Sequence, residues 1–168
     1  MNQEIAVRNA LPADAAVLCL AEQETSRTPG LLISQPHEFS EAAFRSKIVW
    51  LADAGIYLVA EINGKPVGHA LLEPMPLDSM SHVFSLTIVV HPGYTRRGVG
   101  THLMTALFDW AAHHPHVEKI ELRVRESNAV ALRLYQRFGF VEEGRVEKCI
   151  KLPDGNCLAD ISMARFLI

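Results

Sequence analysis

The sequence predicts an α/β (α+β) fold with a mixed central sheet of about seven strands and four helices. Residues 56–62 and 67–72 alternate on either side of an Asn-Gly dipeptide at 63–64, which predicts an antiparallel hairpin with a positive-φ turn. Residues 89–104 pass from a β-branched run through a glycine-bearing turn into an amphipathic helix, which predicts a right-handed crossover. Alternating segments around an Asp-Gly dipeptide at 154–155 predict a closing C-terminal β-hairpin.

In the first half of the chain, proline, glycine and capping residues separate the elements. Pro12 and Asp14 are favoured in the first turn of a helix, and Ser40 can cap a second helix that ends near Gly55. Two prolines and a glycine between these helices predict a loop, and its apolar residues need cover, so the loop would wall a pocket. The predicted elements are a strand over 4–9, a helix over 12–23, the loop over 24–38 and a helix over 40–55.

The second half continues with helical and alternating patterns. Ser127 or Asn128 caps the fourth helix, and Gly139 stops it. On the strand over 119–124 the apolar residues face inward and the charged residues outward. A two-residue turn at 154–155 would place Leu152 opposite Cys157. The predicted elements are strands over 82–90 and 119–124, helices over 99–113 and 128–138, and hairpin strands over 140–150 and 158–164.

Length and composition predict a single domain over residues 1–168. The 168 residues are 49% hydrophobic and 21% charged, which is typical of a globular chain with a buried core. A net charge of −3 provides no general positive field, so we expect no nucleic acid and no membrane as partners. The N-terminus has no signal-peptide core, which favours a cytoplasmic location. Three cysteines without metal-like spacing predict free thiols, and homodimer formation is left open.

The loop over 95–101 joins a predicted strand to a helix N-terminus, where unpaired N–H groups and the helix dipole favour an anion. Gly98 and Gly100 allow close approach, and Arg96 with Arg97 add positive charge. The loop lacks the Gly-Lys-Ser/Thr of a Walker motif, and Leu103 stands where the dinucleotide fingerprint needs a third glycine. The alternative is a solvated glycine-rich turn with two exposed arginines.

The segment TRRGVGT resembles the pyrophosphate loop of the GCN5-related N-acetyltransferase (GNAT) family, whose pattern is Gln or Arg, two residues, Gly, one residue, Gly or Ala. Thr95 departs from this pattern at the Gln or Arg position. The family also has Asn at the start of the fourth helix, followed by Ala, Leu-Tyr and Gly-Phe. The matching residues are Asn128, Ala131, Leu134, Tyr135, Gly139 and Phe140. The resemblance covers about residues 3–166 and implies the GNAT fold, with a splayed parallel strand pair.

The resemblance implies acetyl-CoA as co-substrate, with its pyrophosphate on the glycine loop and its pantetheine arm along the fourth strand. Asn128 would hydrogen-bond the arm, cap its helix, or do both. No metal is expected, because the His-His-Pro-His run at 113–116 lacks an acidic or thiol companion and fits a solvated helix end. The implied cofactor-binding residues are Ile88, Val89, Val90, Arg96, Arg97, Gly98, Val99, Gly100, Thr101, Asn128, Ala131 and Tyr135.

Tyr135 is the implied general acid, because a tyrosine at this site in the family points toward the CoA sulfur. A phenol with a pKa near ~10 can protonate a leaving thiol with a pKa near ~8.5. The alternative is a core aromatic whose hydroxyl only finds a partner. Several relatives place a basic Glu on the fourth strand, but residues 86–88 are Leu, Thr and Ile here. The base candidates are therefore His82, Glu73, Glu24 and Glu38, of which the last two are also the acceptor-site candidates.

Together these features predict an N-acetyltransferase that moves the acetyl group of acetyl-CoA to a primary amine of a small molecule by direct transfer in a ternary complex. An amino acid, a polyamine or a drug-like amine would be the acceptor. The loop over 24–38 favours a walled pocket over an open peptide groove. Two alternatives stay open. One is a protein N-terminal or ribosomal-protein acetyltransferase, and the other is a non-catalytic CoA-binding regulatory domain.

Overall fold

A seven-stranded mixed sheet forms the centre of the computed structural model, which describes residues 3–167. The strands are β1 (Ile5–Asn9), β2 (Ile56–Ile62), β3 (Lys65–Pro74), β4 (Val83–Val90), β5 (Lys119–Arg125), β6 (Val141–Lys151) and β7 (Cys157–Phe166). Their order across the sheet is β1-β2-β3-β4-β5-β7-β6, and every neighbouring pair is antiparallel except β4 and β5. The predicted fold class, mixed sheet and closing hairpin are confirmed.

Four helices in the described residues cover the two faces of the sheet. They are α1 (Ala15–Ser26), α2 (Glu41–Ala54), α3 (Val99–Ala112) and α4 (Ala129–Arg137). Alternation along β3 separates the faces, because Ala70 and Leu72 pack in the core with α3 and α4, whereas Leu71 packs with α1 and α2. These two sides are called the α3/α4 face and the α1/α2 face.

Local sequence signals account for the ends of these elements. Asn63 and Gly64 adopt φ of 51° and 75°, as the predicted turn between β2 and β3 requires. The Ser40 hydroxyl accepts a backbone hydrogen bond at 3.4 Å and begins α2, as expected. Pro12 belongs to a short 3-10 turn instead of the first α-helix, and α1 follows that turn and continues to residue 26 rather than 23.

The loop of the closing hairpin is longer than the sequence predicts. Lys151, rather than Leu152, lies opposite Cys157, so the two-residue turn is wrong. The carboxylate of Asp154 accepts a hydrogen bond from the backbone N–H of Asn156 at 2.9 Å, which stabilises a wider turn. The three cysteines of the chain are free thiols, as predicted.

The α1/α2 face buries two histidines that lie 22 residues apart in the chain. His69 on β3 is fully buried, and its Nδ1 lies 2.8 Å from Nε2 of His91, which follows β4. The Nε2 of His69 lies 2.8 Å from the carboxylate of Glu22 on α1. Burial, reinforced by the neighbouring His69, lowers the pKa of His91 to about 3. His91 is therefore neutral in the folded protein at any pH above that value.

This neutral histidine should make the protein less stable in mild acid. The unfolded chain protonates His91 below a pKa of about 6.5 and the folded chain does not, so stability decreases as the pH falls. We expect the free energy of unfolding to fall by about 2 kcal/mol between pH 7 and pH 5, measured by urea unfolding. A His91→Gln variant should have a shallower pH dependence, and an equal slope in both proteins would contradict this origin.

β4 and β5 run side by side for a short distance and then separate. Their register begins with Val83 opposite Lys119 and stops with Ser85 opposite Glu121, although β4 continues to Val90. Beyond that point the facing edges of the two strands do not pair with each other. The splayed parallel pair implied by the resemblance is present, and it opens a cleft in the sheet.

Candidate functional site

A cleft of about 1380 Å³ fills the gap between β4 and β5. It is bounded by the N-terminus of α3, by α4 and by Leu31 and Leu32 in the loop after α1, so this loop walls a pocket as expected. The Ser127 hydroxyl donates a hydrogen bond to the carbonyl of Gly30 at 2.8 Å and fixes the loop beside α4. A Cβ at residue 30 would lie 2.5 Å from the Ser127 Oγ, so this contact requires glycine.

One end of the cleft presents unpaired backbone donors at the N-terminus of α3. Arg96 and Gly98 have positive φ, 62° and 86°, and turn the chain into the helix. His102 donates the first helical hydrogen bond, to the carbonyl of Gly98 at 3.0 Å. The N–H groups of residues 99–101 therefore have no acceptor within residues 3–167. A pyrophosphate fits these donors and the positive end of the helix dipole.

The two glycines of this loop serve different physical needs. A Cβ at Gly98 would have no neighbour closer than 3.7 Å, so glycine is needed there for its backbone angles. A Cβ at Gly100 would lie 3.0 Å from Cδ2 of Leu134, so glycine there lets the Leu134 side chain of α4 approach the first turn of α3. The second glycine thus brings α4, which carries Tyr135, close to the anion-binding turn.

The middle of the cleft offers a strand edge. Residues 86–90 of β4 pair with β3 on one side only, so their remaining N–H and C=O groups can pair with an extended amide ligand. Ile88 and Val90 pack toward the α3/α4 face, and Val89 is buried. The Asn128 side chain lines the cleft and also accepts a hydrogen bond from the backbone N–H of Ala131 at 3.3 Å, so its position permits both expected roles.

Tyr135 lines the cleft with a side chain that is almost buried. The residue is 7% exposed, and its ring centroid lies 5.9 Å from that of Phe140. Burial raises the pKa of the phenol to about 12, and the positive charge of Arg125 offsets part of this rise. No hydrogen bond within residues 3–167 engages the hydroxyl. It is therefore protonated at neutral pH and available to donate to a ligand.

Several of the residues expected at the site do not line the cleft. Arg97 instead places its guanidinium 5.3 Å from the centre of the Tyr94 ring. The Glu38 carboxylate accepts a local backbone hydrogen bond at 2.8 Å and stabilises a short turn. Glu24 is exposed on α1, and His82 is exposed just before β4. The residues outside the cleft lining are Arg97, His82, Glu73, Glu24 and Glu38.

Glu73 is the expected base candidate that pairs across the sheet with a residue of the cleft. In the β3–β4 register it lies directly opposite Ser85, which lines the cleft. Both residues occupy the α1/α2 side of the sheet, because the adjacent Leu71 packs with α1 and α2. Nζ of Lys47 lies 3.4 Å from the Glu73 carboxylate. A carboxylate therefore approaches the cleft without lining it.

The cleft also contains arginines that the sequence pattern assigned to solvent. The outward positions of β5 include Arg123 and Arg125, and the splay turns that outward face into a wall of the cleft. The alternation along β5 was the available signal, but it could not show that the strand edge is open. The charged lining residues are Arg96, Arg123, Arg125, Arg133 and Arg137, and no Asp or Glu among residues 3–167 lines the cleft.

The histidine run at 113–116 contributes aromatic contacts. His114 stacks on Trp110 with ring centroids 4.5 Å apart. Across the described residues, no three His, Cys, Asp or Glu side chains are arranged to hold a metal ion. From residue 3 to residue 167, no helix has the length and apolar character needed to cross a membrane.

Sequence comparison assigns the chain to a known protein family. The model of the Acetyltransferase (GNAT) family matches residues 21–140. The chain is 34% identical over 108 residues to the L-amino acid N-acetyltransferase AaaT of Escherichia coli (strain K12). That match covers 64% of this chain and 66% of the relative, so the chain spans slightly less than two thirds of the relative's length.

Solved structures share the fold over nearly the whole chain. An acetyltransferase of the GNAT family from Streptococcus pneumoniae superposes with a TM-score of 0.88 and 25% identity, covering 98% of this chain and 100% of that one. The protein yncA from Salmonella typhimurium, solved with its cofactor acetyl-CoA, gives a TM-score of 0.83 and 20% identity, covering 98% and 94% of the two chains. At 20% identity this second likeness shows the fold alone.

Proposed function

Because the chain belongs to the Acetyltransferase (GNAT) family, we propose that it is an N-acetyltransferase that moves the acetyl group of acetyl-CoA to a primary amine of a small molecule. The observation that carries the proposal is the cleft, which combines unpaired helix donors, an open strand edge and a protonated phenol. Amino acids, polyamines and drug-like amines are the acceptor classes considered. The named activity of the Escherichia coli relative favours an amino acid.

Different segments of the chain bind different parts of acetyl-CoA along the cleft. The backbone N–H groups of residues 99–101, together with Arg96, bind the pyrophosphate. The open edge of β4 at residues 88–90 pairs with the amides of the pantetheine arm, and Asn128 faces the same arm from the start of α4. The thioester of acetyl-CoA supplies the electrophilic carbonyl carbon. Both substrates are held at once, so transfer is direct within a ternary complex.

Tyr135 is proposed as the general acid for the departing thiol. The amine nitrogen forms the N–C bond while the C–S bond breaks, and the amine loses a proton as the sulfur gains one. A phenol with a pKa of about 12 is too weak an acid to protonate a solvated thiolate, whose pKa is near ~8.5. Burial raises the pKa of a thiol as well, so Tyr135 first donates a hydrogen bond to the sulfur and then transfers the proton inside the cleft.

Glu73 is proposed to accept the proton of the acceptor ammonium through a water, because its cross-strand neighbour Ser85 lines the cleft. His82, Glu24 and Glu38 lie outside the strands, so none of them has a cross-strand neighbour that lines the cleft. A Glu73→Gln variant should lower kcat/KM for the acceptor by about 100-fold, since a glutamine cannot accept that proton. Steady-state rates at a fixed pH measure the loss, and an unchanged kcat/KM would exclude this role.

The proposed function is tested by thiol release from acetyl-CoA over a panel of amino acids, polyamines, drug-like amines and peptides. We expect turnover with at least one class of small amine and no release without an acceptor. Turnover with peptides alone would favour a protein N-terminal or ribosomal-protein acceptor. Tight CoA binding without turnover on any acceptor would favour a non-catalytic CoA-binding domain.

A further inference from the structure

The arginines of the cleft fall into two groups on opposite sides of the sheet. Arg96 precedes α3, and Arg133 and Arg137 belong to α4, so these three lie on the side of the phosphates of the co-substrate. Arg123 and Arg125 alternate on β5 with apolar residues that pack in the core of the α3/α4 face. They therefore project to the α1/α2 side, away from the phosphate-binding turn.

The two β5 arginines share a single carboxylate. Arg125 donates from Nε to Oδ1 of Asp160 at 3.1 Å, and Nη1 of Arg123 lies 3.7 Å from Oδ2 of the same residue. Arg125 also donates from Nη2 to the backbone carbonyl of Arg123 at 2.6 Å. Its Nη1 has no acceptor among residues 3–167, although the side chain is only 9% exposed and lines the cleft. The two guanidinium groups therefore carry one positive charge more than the single carboxylate of Asp160 neutralises.

The rest of this side of the cleft is neutral. Ser85 and Thr87 of β4 line it, and Leu31 with Leu32 form an apolar wall that the Ser127 hydrogen bond holds in place. No Asp or Glu in the described chain lines the cleft, and the nearby carboxylate of Glu73 is already paired with Lys47. These surroundings suit a small acceptor with an anionic group and an apolar side chain better than a polyamine.

We infer that the acceptor carries a carboxylate beside its amine, and that Arg123, supported by Arg125, binds this carboxylate. The planar fork of a guanidinium matches a carboxylate with two parallel hydrogen bonds, so Arg123 acts as a specificity-determining residue. The inference rests on the proposed acetyl transfer, because it names the acceptor class of that reaction. It requires an α-amino acid or a close analogue in place of a simple amine.

Matched acceptors test the inference by kinetics. For leucine, methionine and phenylalanine, each free acid is compared with its amide and with the corresponding decarboxylated amine. We expect kcat/KM to be higher for the acid by roughly 10- to 100-fold in at least one set, as for a hydrogen-bonded charge. Arg123→Gln should abolish this preference by raising KM for the acid, with the amide unaffected, and Arg123→Lys should restore part of it. Equal use of acid and amide in every set would overturn the inference.

A binding experiment separates this inference from the proposed function. Calorimetric titration of N-acetyl-L-leucine and N-acetyl-L-leucinamide into the CoA-bound protein needs no turnover. Stronger binding of the carboxylate, lost in Arg123→Gln, supports the inference even if no amine is acetylated. Equal binding of the two probes contradicts it even if acetylation occurs. Arg45→Gln, in an exposed ion pair on α2, should change neither measurement, and Arg133→Gln should raise KM for acetyl-CoA while the acid-to-amide ratio is kept.

Discussion

Replacing Tyr135 by phenylalanine should lower kcat by about 100-fold or more and leave the Kd for acetyl-CoA unchanged. The ring packs against Phe140, so phenylalanine keeps the packing and removes only the hydroxyl. That hydroxyl is the donor proposed for the departing sulfur. Single-turnover rates and CoA titration measure the two quantities separately. A variant with unchanged kcat would remove the general-acid role.

Tyr57 provides the matched control for this experiment. It is also buried, and burial also raises its pKa, but it lies outside the cleft lining and packs with α1 and α2. Tyr57→Phe should therefore keep kcat. The raised pKa of Tyr135 adds a second expectation, because its proton is lost only as the pH rises through about 12. Below about pH 10 its titration should produce no basic limb in kcat, and a limb that disappears in Tyr135→Phe would contradict this pKa.

Asp160→Asn should lower the free energy of unfolding by about 3–5 kcal/mol, because it leaves the buried guanidinium of Arg125 without its counter-charge. Arg125 and Asp160 lie opposite each other on β5 and β7, so the substitution weakens the pairing of the strand that forms one wall of the cleft. Urea unfolding at neutral pH measures the change. Glu142→Gln, which removes an exposed partner of Arg145, should cost less than about 1 kcal/mol and serves as the control.

A double variant separates the lost charge pair from a general packing defect. Replacing Arg125 by methionine and Asp160 by leucine removes both charges, so no buried ion is left unpaired. This double variant should recover much of the stability lost in Asp160→Asn. If Asp160→Asn alone lost less than about 1 kcal/mol, the pair would behave as a solvated surface pair.

The sequence could predict the order of elements, because turn residues and periodicity are local features. The splayed strand pair was implied only by the family resemblance that the two motifs carry. It could not assign Arg123 and Arg125 to the cleft, because alternation distinguishes two faces of a strand but does not show which edge lacks a partner. The loop over 24–38 was correctly expected to wall a pocket. The positions of its carboxylates could not be predicted: Glu38 accepts a hydrogen bond within a local turn, and Glu24 belongs to α1.

Other contacts depend on tertiary pairing that no local pattern reports. His69 meets His91 because β3 and β4 are antiparallel neighbours, with His69 opposite Val89 in the register. The prediction of a two-residue turn in the closing hairpin was wrong, because the Asp154 side chain competes with that tight turn for the backbone N–H of Asn156. The first outcome depends on long-range strand pairing, whereas the second depends on a local side-chain turn that spans two residues.

The separation of β4 from β5 has a kinetic consequence. The gap passes through the sheet. Under the proposed function, the co-substrate would approach from the side of α3 and α4 and the acceptor from the side of α1 and α2, so neither would cross the path of the other. We therefore expect the two substrates to bind in either order, and the acylated product and CoA to depart through separate entrances.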